Sequence, residues 1–169
     1  MIYREILRWA VGQMTLGRHS IHGPCHWMQV WRNGRRIAKA TPGADPCVVA
    51  LFALFHDCRR VREGRDPDHG RRAADAIGQI RLTLLSDLEE RQFDLLLHAL
   101  VSHNDGQVSD DPTIGACWDA DRLDLPRVGI RVSPALLSTA AARVIVQSGS
   151  RGPAVRLSRS PAPRPGPAR

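Results

Sequence analysis

Residues 48–57 have the sequence VVALFALFHD, in which eight apolar residues lead into the doublet His56-Asp57. A run this apolar predicts a helix buried in the core of the protein. Burying an imidazole and a carboxylate at its end costs free energy unless a partner compensates for their lost hydration. A divalent metal ion is the strongest such partner. The doublet alone is weak evidence for a metal site, but further histidines and an aspartate before and after it make the pattern more specific.

The rest of the chain shows further helical patterns, each with recognisable start and stop signals. Aspartate before proline, at Asp45-Pro46 and Asp111-Pro112, is expected to cap two of the helices. Strand patterns are scarce, and residues 128–132, the only short candidate, are interpreted as a connection. The sequence thus predicts an all-α fold, a single bundle of six to seven helices. The first two predicted helices cover residues 3–14 and 23–40. The third runs from Pro46 to near Gly64, and the fourth begins at about Asp68. The fifth follows a capping box at 86–89 and ends in a turn at 104–106, the sixth begins at Pro112, and the last runs from Pro134 to near Gln147.

The positive charge of the chain is concentrated at its C-terminal end. The 169 residues carry a net charge of +7, and five of the 24 basic residues, all arginines, follow Ser148, where there are no acids. The remainder keeps 19 basic and 17 acidic residues, a net charge of only +2. We therefore predict a helical domain over 1–147 and a disordered Pro- and Arg-rich tail over 148–169. A nucleic-acid partner is not expected.

The composition, 43% hydrophobic and 24% charged, is ordinary for a globular protein. The chain contains no apolar stretch of about 20 residues, and its N-terminus lacks the uninterrupted apolar core of a signal peptide. The four cysteines are scattered, which argues against a zinc ribbon or a disulfide framework, and each is expected to fill a small space in the core. We expect a cytoplasmic protein with no membrane partner. The sequence leaves the oligomeric state open.

More histidines and aspartates flank the doublet in an order that suits a metal site. His26 precedes it, and His69, His103 and Asp121 follow it, each in a different predicted helix or at its end. A helical bundle can bring such groups to one point in its core. Imidazole and carboxylate ligands suit Mn²⁺, Fe²⁺, Co²⁺, Ni²⁺ or Zn²⁺, with Mg²⁺ a further candidate. The two oxygens of Asp57 allow it to bridge two ions.

Each of these assignments has a structural alternative that the residues alone leave open. Asp119, two residues before Asp121, could be the aspartate ligand instead. The histidines could serve packing or helix capping: His56 and Asp57 as a buried pair, His26 as an interfacial residue, His69 as a surface residue, and His103 as a residue favoured by the helix dipole.

Five short motifs resemble the HD superfamily of metal-dependent phosphohydrolases, and the resemblance covers about residues 18–132. They are His26-Trp27 with Val30, LFHD at 54–57, His69-Gly70 with Ala73-Ala74, Val101-Ser102-His103, and DADRLD at 119–124. The resemblance implies that four residues bind one metal ion, namely His26, His56, Asp57 and Asp121. Dinuclear members use two more histidines, which match His69 and His103, with Asp57 as the bridge. Asp121 is preferred to Asp119 because it directly precedes Arg122-Leu123.

The resemblance also implies an activity, which is hydrolysis of a phosphomonoester or phosphodiester, such as a nucleotide, by water activated by two divalent ions. Asp57 would then position the bridge, and His22 or a nearby acid would protonate the leaving group. His22 lies four residues before His26, on the same face if both are helical; capping or surface exposure is its structural alternative. Any of four arginines could meet a phosphate, namely Arg59, Arg60, Arg62 and Arg65. Arg122 is expected to brace the acidic cluster, Asp124 to be solvated or capping, and His98 to be structural.

Two other functions stay open at this point. Some proteins of the HD fold hold a di-iron centre with the same six ligands and oxidatively cleave a small organic substrate. A non-catalytic module that senses a nucleotide, with a structural metal, is the other alternative. The complete ligand series argues against the second of these.

Overall fold

The computed structural model describes residues 3–149, which form helices joined by turns and which contain no β-strand. The predicted all-α fold is therefore confirmed, and residues 129–132 form a connection after the first 3₁₀ helix. Residues 150–169, nearly all of the predicted tail, lie outside the described part. The helices are α1 (Tyr3–Gly12), α2 (Pro24–Ala40), α3 (Pro46–Phe55), α4 (His69–Gly78), α5 (Glu90–Ser102), α6 (Pro112–Arg122) and α7 (Ala140–Gly149), with 3₁₀ helices at Leu125–Val128 and Pro134–Leu136.

The apolar helix α3 lies at the centre of the bundle. It packs against α2, α5 and α6, while α4 packs on α5. Phe52 and Phe55 of α3 are fully buried. Gly34 permits the close approach of α2, because a Cβ there would lie 2.6 Å from Cγ1 of Val49. None of the helices within residues 3–149 has the length and apolarity needed to cross a membrane.

The two aspartate-proline starts form as the sequence predicts. Asp45 Oδ1 accepts hydrogen bonds from the backbone N–H groups of Cys47 and Val48, at 2.8 and 3.1 Å. Asp111 Oδ1 does the same for the second and third residues of α6, at 2.8 and 3.0 Å. These caps satisfy N–H groups that have no partner within the helix. They fix where α3 and α6 begin, and hence where their far ends deliver His56, Asp57 and Asp121.

The end of α3 differs from the prediction, since the helix stops at Phe55 and not near Gly64. The next segment finds its hydrogen bonds elsewhere. The N–H of Val61 donates to Asp66 Oδ2 at 2.9 Å, and the carbonyl of Arg60 accepts from the Thr15 hydroxyl at 2.6 Å. Such side-chain partners compete with the backbone hydrogen bonds of a helix. Residues 59–68 consequently form a loop beside the doublet.

Smaller differences concern other helix ends and a cysteine. The capping box of α5 is formed by Glu89 and Gln92, one turn later than the predicted box at 86–89. Helix α1 ends at Gly12, and residues 134–136 form a 3₁₀ helix before α7 begins. Cys58 and Cys117 are buried as expected, whereas Cys25 is exposed, so the prediction that every cysteine fills the core is wrong for Cys25.

Candidate metal centre

The six residues predicted to bind metal lie together in one cluster, which we call the centre. Each is delivered by the end of a helix, so that five helices point their termini at the same place. His26 lies in the first turn of α2, His56 and Asp57 directly after α3, His69 at the start of α4, His103 directly after α5, and Asp121 in the last turn of α6. All except Asp121 are buried.

Asp57 lies between two pairs of histidines. Its Oδ2 is 3.5 Å from Nε2 of His26 and 3.4 Å from Nε2 of His56, and its Oδ1 is 3.2 Å from Nε2 of His69. Asp121 Oδ1 joins the first pair, 3.2 Å from Nε2 of His26. Two groups of atoms are thus close enough to hold a metal ion: His26, His56 and Asp57, and Asp57, His69 and His103. Asp57 is common to both groups.

The Nδ1 atoms of all four histidines are occupied by acceptors outside the centre. Carbonyl and carboxylate oxygens only accept hydrogen bonds, so each Nδ1 carries the proton, and a neutral imidazole then presents its Nε2 lone pair inward. The acceptors are Asp124 Oδ2 for His26 at 2.7 Å, Ala53 O for His56 at 3.2 Å, Asp66 O for His69 at 2.5 Å, and Leu100 O for His103 at 2.8 Å. Such outer acceptors are typical of histidines that ligate metals.

The inward nitrogens face each other at short range. Nε2 of His26 lies 3.0 Å from Nε2 of His56, and Nε2 of His69 lies 2.7 Å from Nε2 of His103. Two nitrogen lone pairs at these distances repel each other unless a proton or a metal cation lies between them. The chemistry of the donor set, four imidazoles and two carboxylates, therefore fits divalent metal ions.

Charges and burial within the centre shift the pKa values of several of its residues. Burial alone would raise the pKa of Asp57, but the neighbouring His56 and His69 hold that pKa well below its usual range. Burial would likewise lower the pKa of His26, but hydrogen bonds to Asp121 and Asp124 raise it to about 9. Burial and the nearby His69 lower the pKa of His103 to about 4. The centre thus combines an ionised carboxylate with a neutral imidazole at the second pair.

Packing fixes the second pair of histidines. Gly70 follows His69, and a Cβ on Gly70 would lie 2.1 Å from the carbonyl oxygen of Leu100. Only glycine lets α4 approach α5 this closely, which is what brings His69 to His103. The Phe52 ring stacks on His56 with centroids 5.2 Å apart and lies 5.8 Å, edge-on, from the His103 ring.

Asp124 occupies the N-cap position of the 3₁₀ helix Leu125–Val128, but its side chain makes no capping hydrogen bond and is not solvated. Its side chain is largely buried, and Oδ2 accepts the Nδ1 proton of His26. A carboxylate in this position orients the imidazole and raises its basicity. Its position three residues after Asp121, at the same helix end, is a signal that could have revealed this contact.

Two other residues of this segment have structural partners. Asp119, the alternative to Asp121, accepts hydrogen bonds from Ser138 and Thr139 instead of facing the centre. Arg122 was expected to brace the acidic cluster, but its guanidinium donates to the carbonyls of Leu136 and Gln107. The spatial arrangement therefore favours Asp121 over Asp119 as the residue facing the metal position.

His22 lies at the mouth of the centre, just before α2, which begins at Pro24. Its Nδ1 is 2.9 Å from Glu63 Oε2, and Ser20 Oγ donates to the same oxygen at 3.1 Å. Burial lowers the pKa of His22. Its ring centroid is 6.4 Å from that of His26. Glu63 was not predicted, since nothing in the sequence shows how the loop 59–68 folds back.

Of the four candidate arginines, Arg60 points into the centre. Its NH2 donates to the carbonyl of Gly64 at 2.7 Å. Its NH1 lies 3.4 Å from Asp57 Oδ1 and 3.4 Å from Nε2 of His69. Arg59 donates to Gln13 instead, and Arg62 and Arg65 are exposed.

The centre opens to solvent through a cleft of about 270 Å³. A second opening of about 320 Å³ adjoins it, and the two share Arg60, His69 and Asn104 in their walls. Asp57 and Asp121 lie in the wall of the first, so a small molecule in the cleft reaches the atoms of the centre.

No model of a known protein family matches this chain, and neither does a curated protein or a solved structure. The resemblance to the HD superfamily rests on the motif residues and stays a prediction. The fold and the centre together define an all-helical protein with buried histidine and aspartate groups that could hold metal.

Proposed function

We propose that this protein is a metal-dependent phosphohydrolase, which cleaves a phosphomonoester or phosphodiester with the help of two divalent ions. One observation carries the proposal: two pairs of histidine Nε2 atoms, with their Nδ1 protons already committed, face each other on either side of Asp57. A buried arrangement of this kind is unfavourable without cations.

The residues divide between two metal positions that share one carboxylate. His26, His56 and Asp121 would hold one ion, His69 and His103 the other, and Asp57 would bridge them. Bound divalent ions supply an activated water and neutralise charge on phosphoryl oxygens. The protein's own contribution is to hold the ligands in place through the outer acceptors on each Nδ1.

Arg60 supports an anionic substrate. Its side chain is only 12% exposed, and the carbonyls of Arg62 and Gly64 anchor the Nε and NH2 nitrogens. The remaining nitrogen, NH1, faces the centre. A guanidinium fixed in this way can donate to a phosphoryl oxygen with little loss of side-chain entropy. Arg60 therefore binds and orients the phosphoryl group in our proposal.

His22 is the proposed donor of the proton to the leaving oxygen. Because Glu63 engages Nδ1, the free nitrogen of the ring is Nε2, which is the one available for proton transfer. Ser20 and Glu63 hold the ring in the wall of the cleft. His22 is thereby oriented before substrate binds.

The first test is the metal content of the purified protein and of three variants. We expect two ions per chain in the wild type, one in His69→Ala and one in His103→Ala. His98→Ala is the matched control, because His98 is exposed and stacks on Trp118. It should retain both ions. One ion in the wild type and in both variants would leave a single metal position that does not involve His69 or His103, and a metal-free wild type would contradict the proposal.

The second test separates hydrolysis from oxygenation. The reconstituted protein should release phosphate from a panel of phosphoesters with Mn²⁺ or Co²⁺, at a rate that does not depend on oxygen. An iron-loaded protein with a mixed-valent electron paramagnetic resonance signal and no phosphatase activity would favour the di-iron oxygenase instead.

A further inference from the structure

One wall of the cleft is apolar. Four apolar side chains line it beside the centre: Ile21, Leu125, Val128 and Ile130. Three of them are large and exposed to solvent, Ile21 at 50%, Val128 at 38% and Ile130 at 52%. Single exposed apolar side chains are common, but a group of them at the edge of a site is typical of a binding surface.

This wall is held in place by specific contacts. The guanidinium of Arg127 donates to the carbonyl of Ile21 from both Nε and NH2, at 3.3 and 3.2 Å, and so ties the loop before α2 to the first 3₁₀ helix. Gly129, with φ of +79°, turns the chain in a conformation that other residues rarely adopt. The N–H of Ile130 then donates to the carbonyl of Leu125 at 3.3 Å. The apolar surface is therefore formed before any ligand arrives.

The other side of the cleft is polar. Arg60, His69 and Asn104 separate the cleft from the adjoining opening, which contains Arg65, Asp66 and Asp105. A phosphoryl group at the centre would meet the guanidinium of Arg60 on this side. Whatever is esterified to the phosphoryl group can then extend along the apolar residues of the same cleft.

We propose that the leaving group of the substrate is apolar, a compact aromatic or aliphatic alcohol that rests against Ile21, Val128 and Ile130. This inference rests on the proposed function, because the centre must hold the phosphoryl group. Hydrolysis breaks the bond between phosphorus and the alcohol oxygen, forms one to the oxygen of water, and returns a proton to the alcohol. The apolar part of the alcohol gains affinity by leaving water.

Binding of two phosphonates to the metal-loaded protein tests the inference. Phenylphosphonate and methylphosphonate carry the same charged group and cannot be hydrolysed, because carbon replaces the ester oxygen. Calorimetric titration at a pH where both are dianions should show about tenfold tighter binding of phenylphosphonate. Ile130→Ser and Val128→Ser should each reduce this preference to about threefold or less. Both side chains are partly exposed, so the variants are expected to fold and to keep their metal.

Leu82→Ser is the matched control, since Leu82 is 88% exposed and does not line the cleft. It should keep the full preference. Equal binding of the two phosphonates by the wild type would overturn the inference, as would an unchanged preference in both serine variants. Binding of neither phosphonate by a protein that contains metal would contradict the proposed function itself, and the inference with it.

Discussion

Two buried polar clusters lie on opposite faces of α6, and they differ in how their hydrogen bonds are matched. The first is the α6–α7 junction, formed by Asp119, Ser138 and Thr139. Asp119 Oδ1 accepts from the N–H of Ser138 at 2.8 Å, and Oδ2 accepts from the N–H and the hydroxyl of Thr139 at 2.7 and 2.8 Å. Each acceptor in the junction meets a donor, as is usual in protein interiors.

The centre differs from the junction although most of it is also buried. In its second pair the Nε2 atoms of His69 and His103 face each other at 2.7 Å, and NH1 of Arg60 approaches His69 Nε2 and Asp57 Oδ1 only at 3.4 Å. Burial and polarity therefore do not distinguish a structural cluster from a metal site. The balance between hydrogen-bond donors and acceptors does distinguish them, and the variants below change that balance.

The largest effect is expected from Asp57→Asn, which removes the shared negative charge. We expect metal affinity to fall by at least about 100-fold at both positions, and phosphoester hydrolysis to be lost with it. The new amide would donate to the Nε2 atoms, so the metal-free variant should be no less stable than the metal-free wild type. Elemental analysis and calorimetric metal titration measure the first effect, and urea unfolding the second.

Asp94→Asn is the control for this change, because it removes the same charge from the exposed surface of α5. It should leave metal binding unaltered. Retention of two ions by Asp57→Asn would show that the carboxylate is not a bridge.

Asp119→Asn should lower the stability of the protein and leave metal binding intact, which is the reverse of what we expect for Asp57→Asn. An amide offers one acceptor oxygen where the carboxylate uses two, and it turns an NH₂ group toward an N–H donor of the junction. We expect a loss of about 3 kcal/mol in the free energy of unfolding, with metal content per folded chain unchanged. Urea unfolding of the metal-free proteins measures the loss. If Asp119→Asn lost metal but not stability, the assignment of the two aspartates would be reversed.

The contrast between these aspartates shows what the sequence could and could not predict. Helix starts at Pro46 and Pro112 were predictable because an aspartate cap is a local interaction. The identity of the residues that meet in the centre was also predictable, since they fall at helix ends in the order of a known pattern. Choosing Asp121 over Asp119 as the ligand required that pattern, because both aspartates lie in the same acidic segment and the local sequence does not separate them.

The contacts that the sequence did not reveal are those made by loops. Within residues 59–65 only Gly64 disfavours a helix. Hydrogen bonds to Thr15 and Asp66 nevertheless hold this segment in a loop after α3. The positions of Arg60 and Glu63 at the cleft follow from that loop. Thr15 lies 45 residues from Arg60 in the chain, and no local pattern specifies their contact.

Removing the metal should lower the free energy of unfolding of the wild type by slightly less than Asp119→Asn does. A ligand that binds only the folded state at about 100 times its dissociation constant contributes about 2.7 kcal/mol. We therefore expect EDTA to lower the free energy of unfolding by about that amount. Asp57→Asn, which has no metal to lose, should not respond. An equal response of both proteins to EDTA would show that chelation acts elsewhere.

Asp124→Asn should have the smallest effect, and it tests how far the centre extends beyond the atoms that face the ions. The amide oxygen can still accept the Nδ1 proton of His26, but the charge that raises the basicity of that imidazole is gone. We expect about tenfold weaker binding of one ion, the lower end of the range for such outer contacts. The ion held by His69 and His103 should keep its affinity, because Asp124 contacts neither residue. Stepwise metal titration separates the two, and equal weakening of both ions would show that Asp124 acts through the net charge of the cleft and not through His26.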